Sequence, residues 1–132
     1  MNNARAITSL RQLRDNLARM PDAIPVVAKR SAEAIEQLVA ANIAAARAPD
    51  GTPWLPRADG GAPLVGAARA VDVVAVGSTV LVAVHGIEAR HHAGKVKGGV
   101  ARPIVPRGKL PAPMLAVVSS IAAEELRRRG IP

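Results

Sequence analysis

Ile7, Leu10, Leu13, Leu17 and Met20 recur at intervals of three and four residues, while Arg5, Arg11, Arg14 and Arg19 take the other positions. That spacing predicts an amphipathic helix of about four turns. Pro21-Asp22 interrupts the pattern. Asp22 is a competent N-cap and Pro25 is tolerated in a first turn, so a second helix is predicted from there. Its apolar stripe is Ala28, Ile35, Leu38, Val39, Ile43 and Ala46, with Glu33, Glu36 and Arg47 off the stripe. It is predicted to end at Ala48, because the residue before Pro49 is disfavoured in the α conformation.

Residues 49–63 are rich in Pro, Gly and Asp and read as an irregular loop, with Asp50-Gly51 as a turn. "AVDVVAVGSTVLVAVH" is dense in valine and split by Gly77-Ser78. It predicts a β-hairpin over 71–76 and 79–85, closed by the tight turn that Gly at the first central position permits. The second strand is apolar on both faces, the mark of a covered, central strand. Residues 86–111 read as a second irregular region, a basic loop. The last predicted helix, 112–129, carries Met114, Leu115, Val118, Ile121, Ala122 and Leu126 on one side; Arg127 to Arg129 suit its C-terminal dipole and Gly130 stops it. The order is α–α–loop–β–β–loop–α: one α+β domain over residues 1–132, with a helical region at 3–48.

Composition constrains the core. Half the chain is apolar (49%), yet Trp54 is its only aromatic residue. The core must therefore be aliphatic, with thin layers and close backbone approach, and an assembly is expected to complete its burial. There is no cysteine, which excludes a disulfide framework, a thiol nucleophile and thiolate metal sites. The first twenty residues are charged and amphipathic, without the apolar run of a secretory signal, and no apolar stretch is long enough to span a membrane. The formal charge is +8, which favours acidic partners.

Candidate chemistry is sparse. His85, His91 and His92 have Glu88 as the only nearby acid, too few ligands for a metal. Ser78, His85 and Asp72 can be drawn as a triad, but no nucleophile elbow surrounds the serine. No dinucleotide fingerprint or P-loop is present. The strongest feature is charge: Arg90, Lys95, Lys97, Arg102, Arg107 and Lys109 lie within one loop. They could neutralise phosphates, although no aromatic interleaves them for base stacking. A small basic nucleic-acid-binding protein is therefore the alternative to a structural role. Trp54, between two prolines, reads either as a cap on the core or as a subunit anchor.

Three motifs share an order with a known family. "APDGTPWLPR" resembles the P-D-G-x-P-[WY]-x-P-[RL] segment of the virion morphogenesis (tail completion) proteins of tailed phages, where it also follows a long helical region. "ARHHAG" is similar to that family's strand-end segment, with His91 and Gly94 in register. "ARPIVPRGKLPAPMLAVV" resembles its R-P-[FI]-[LV]-P…L-P segment before a C-terminal helix, with Arg102, Pro103, Pro106, Leu110 and Pro111 in register. The resemblance covers about residues 30–125. It implies a non-enzymatic head–tail neck protein acting as a homo-oligomeric ring, found in the virion and, during assembly, in the host cytoplasm. It implies no cofactor, catalytic residue or metal. The implied partners are further copies of itself, head–tail connector or adaptor proteins, and tail terminator or tail tube proteins. Pro53, Trp54, Arg57, His91, Arg102 and Pro103 become packing or interface candidates. Trp54 is expected to seat its loop on the hairpin or on a neighbouring subunit. Arg90, Lys95, Lys97, Arg107 and Lys109 become candidate non-specific contacts to genomic DNA in the lumen.

Overall fold

The computed structural model describes residues 3–94 and 100–132, with side chains from residue 10 onward. The expected break at Pro21 is absent. One helix, α1, runs unbroken over Asn3–Ala44 with Pro21 and Pro25 inside it. At a rise of about 1.5 Å per residue it is about 60 Å long. Each proline removes one backbone donor, freeing the carbonyls of Leu17 and Pro21, but its φ is already helical. Both prolines are exposed, so water can reach that side of the helix. A tertiary splint carries the chain through. Before the prolines, Arg19 Nη1 donates to the Arg129 carbonyl at 2.7 Å. After them, Arg30 bonds Glu124 and Glu125 at 3.1 and 3.3 Å. All three partners belong to the C-terminal helix or its cap, and Ala23, Ala28 and Ala32 are buried between or beside these ties.

α1 ends at Ala44, four residues before the expected stop. The Arg47 N–H bonds the Asn42 carbonyl and the Ala46 N–H bonds that of Ile43, while Ala46 takes the left-handed conformation at φ 54. This is a Schellman ending with alanine in the place glycine usually holds. The missing glycine is why the sequence hid it.

The hairpin forms as expected. β1 (Val71–Val76) pairs antiparallel with β2 (Thr79–Val84), from Val71↔Val84 to Val76↔Thr79. In the turn only Gly77, at φ 58, has positive φ. Val71, Val73, Ala75, Val80, Val82 and Val84 form the better buried face, which lies on α1. β2 is not the covered, central strand its composition indicated. The sheet has two strands, and Leu81 on the outer face is 55% exposed. An apolar outer face asks for a cover, and the described residues do not supply it.

The region 86–111 is not wholly irregular. Gly86–Ala93 form helix α2. Glu88 sits in its first turn and Arg90, His91 and His92 in its last, matching the helix dipole, and Gly94 closes it at φ 73. α2 buries no residue fully, so it carries no apolar stripe to betray it. α3 (Ala112–Arg128) ends as expected: Gly130 turns left-handed at φ 70, and the Ile131 N–H returns to the Leu126 carbonyl. One core draws on α1, the hairpin, α3 and the segments between them, with Ile35, Val39 and Ile43 of α1 clustered with Trp54, Ala67, Val71, Ile104 and Met114.

Candidate functional site

The motif segments 49–57 and 101–107 lie against each other, and the turn that starts the first is built locally. Pro49-Asp50-Gly51 reverses the chain: the Gly51 N–H bonds the Ala48 carbonyl at 2.9 Å, and the Ala48 N–H bonds that of Thr52 at 2.8 Å. Gly51 has φ 90, the left-handed step that closes such a three-residue loop. The Thr52 N–H donates to Asp50 Oδ1, which holds that carboxyl below its ordinary 3.8. This geometry delivers Trp54 into the core, 7% exposed.

Two side chains then join the segments reciprocally. The Trp54 indole N–H donates to the Pro103 carbonyl at 2.9 Å. Arg102 donates in return, Nε to the Leu55 carbonyl at 3.0 Å and Nη2 to that of Pro56 at 3.2 Å. Proline-rich segments lack the donors needed for a regular ladder, so their carbonyls are satisfied from side chains. Trp54 thus shares one buried cluster with Ile104 and Val71. Pro53 is exposed, and Arg57 pairs with Asp59 at 3.2 Å on the surface.

α2 fastens the same segment from its other side. The His91 carbonyl accepts the Arg102 N–H at 3.0 Å. His91 stands on a helix rather than at a strand end, and its buried Nδ1 has no hydrogen-bond partner among the described residues. His92 Nδ1 accepts the Ile104 N–H at 2.9 Å. A neutral imidazole has one lone-pair nitrogen, so Nε2 carries the proton. Arg107 Nε, 3.0 Å from Nε2, therefore makes a contact rather than a second accepted bond; Arg107 is held instead through Nη2 to the His92 carbonyl.

Burial first, and the Arg107 charge second, hold His92 below its ordinary 6.5. The folded state therefore favours neutral His92, and below 6.5 the unfolded chain binds more protons. Its contribution to stability is complete above pH 6.5 and is lost as pH falls through the lowered folded value. Urea midpoints at pH 7.5 and 5 should differ more for the natural protein than for His92→Asn, whose amide oxygen can replace Nδ1 without titrating. Equal pH dependence would remove His92 from this role.

The triad does not assemble. His85 Nε2 lies 3.4 Å from Asp72 Oδ2, both exposed. Ser78 sits in the turn at the other end of the hairpin, about 17 Å away at the strand rise of about 3.4 Å per residue. Among the described residues no group of three His, Asp or Glu side chains could hold a metal ion. Of the candidate DNA contacts, Arg90 and Lys109 are exposed and Arg107 is engaged with His92. Lys95 and Lys97 lie outside the described residues.

Two features were missed in the sequence. Glu125 is 3% exposed and meets Arg30, Arg128 and Arg129 at 3.3, 3.4 and 3.0 Å. Burial pushes its carboxyl up, but the Arg129 hydrogen bond and the other guanidiniums outweigh it and leave it below 4.5. The i, i+3 and i, i+4 spacing to Arg128 and Arg129 was its only signal. The second is an apolar groove of about 450 Å³. Met20, Ile24 and Val27 of α1 lie between Val80 and Val82 of β2 and Val118 and Leu126 of α3.

Comparison with family models, curated proteins and solved structures finds no match for this chain.

Proposed function

We propose that this protein is a structural virion component acting in tail completion or head–tail joining at a phage neck, assembled as a ring of identical subunits. The observation that carries this reading is the ordered set of motifs, whose first and last members are tied together by Trp54 and Arg102. Residues that resemble a family's pattern are thereby used in one structural unit, the clamp between the loop after α1 and the lead into α3. The uncovered outer face of the hairpin, with Val74 51%, Val76 59% and Leu81 55% exposed, gives such a ring an apolar contact surface. The +8 charge suits a position on the path of the genome.

Deletion of the gene in its source, followed by negative-stain imaging of the lysate, tests this. Filled heads with separate tails, or tails of abnormal length, are expected. Intact, infectious particles would overturn the structural role and leave the basic nucleic-acid-binding protein, to be tested by salt-dependent DNA binding of the purified chain.

A further inference from the structure

We propose that two copies of this chain pair through α1, antiparallel about a two-fold axis, each placing the N-terminal turns of its α1 in the apolar groove of the other. Because α1 passes unbroken through Pro21, its apolar positions form one continuous series: Leu10, Leu13, Leu17, Met20, Ile24 and Val27. The steps alternate three and four, the a/d repeat of a helix that packs on another helix. Pro21 and Pro25 stand outside those positions.

Within one copy this seam has no partner at its N-terminal end among the described residues. Every side chain from residue 10 to residue 15 is exposed, and Leu10, Leu13 and Leu17 are 66%, 53% and 56% exposed. At its other end the same seam becomes the floor of the groove. The two ends are complementary: one projects aliphatic side chains beyond α3, and the other offers an aliphatic trough.

Antiparallel pairing matches them layer by layer. Leu10 faces Val27 of the second copy, Leu13 faces its Ile24, and Leu17 faces its Met20, each an a position against a d position. The contact is self-complementary, as a two-fold interface requires. The exposed surface also asks for it: Leu10, Leu13, Leu17 and Ile24 are 66%, 53%, 56% and 44% exposed along one helix face, a contiguous apolar patch of the kind that marks an interface. The pairing leaves the outer hairpin face uncovered, so a ring built through that face remains open to it. It does not depend on the neck role.

The purified full-length chain is the test, by light scattering across a concentration series and by disulfide trapping. The natural protein should have the mass of a dimer at tens of micromolar. Leu13→Gln with Leu17→Gln should shift it to monomer while keeping its far-ultraviolet helix signal, because both side chains are already exposed in a single copy. The chain has no cysteine of its own, so introduced ones report cleanly. Mixing Leu13→Cys with Ile24→Cys protein should give a mixed disulfide dimer in high yield, and neither variant alone should. A monomer at every concentration would overturn the proposal. So would a dimer indifferent to the Leu13 and Leu17 changes, no excess of the mixed disulfide, or a larger ring closed through the same residues.

Discussion

Trp54→Ala is expected to remove a large share of the stability of the folded state. The indole is 7% exposed in an aliphatic core and is the chain's only aromatic ring. Truncating a buried Trp costs about 3–5 kcal/mol, and the Pro103 carbonyl is left without its donor. A domain of this kind has a total stability of only about 5–15 kcal/mol. Circular dichroism with urea titration measures the loss. Trp54→Phe narrows the cause: it keeps a buried aromatic ring but loses the N–H and the second ring of the indole. It should recover part of the stability and stay short of the natural protein by at least the hydrogen bond's share, about 1 kcal/mol. A folded Trp54→Ala protein that failed only in assembly would show that the indole serves an interface instead.

Ile104→Ala is the second large effect, expected to destabilise by about 2–5 kcal/mol. Ile104 is 1% exposed, among the most buried side chains described. Its N–H holds His92 and its side chain shares the core with Trp54. The size of the effect distinguishes a core segment from a loop, because an exposed loop position would change by less than about 0.5 kcal/mol. In a double-mutant cycle, Trp54→Phe and Ile104→Val should be non-additive, since both act on one contact. Additive losses would mean that the two motif segments are held independently.

Much of the fold was legible in local pattern. The valine alternation around Gly77-Ser78 determined the hairpin and its register, because a two-residue turn leaves no slack. The three- and four-residue spacing from Met114 to Leu126 determined α3, and Gly130 its end. The Pro-Asp-Gly turn was legible for the same reason: its residues select their own backbone angles.

The site was legible only as a set of segments. Trp54, Arg102 and Pro103 were marked as packing candidates, but nothing in the order of residues said that they bond one another across 49 positions. His92 and Glu125 stayed hidden because their roles come from what reaches them: a backbone amide from Ile104 and guanidiniums from Arg30, Arg128 and Arg129.

The sequence by itself therefore determined the local elements: an amphipathic N-terminal helix, a hairpin, a capped C-terminal helix and an aliphatic core with one aromatic ring. The tertiary structure alone decided whether Pro21 ends a helix or lies within one. A proline costs a hydrogen bond whose loss is tolerated when packing on either side of it holds the axis, and α3 supplies that packing through Arg19 and Arg30. Once the helix is continuous, Leu10 and Val27 belong to one seam, and an apolar face that seemed to end at Met20 becomes a surface long enough to hold a second copy.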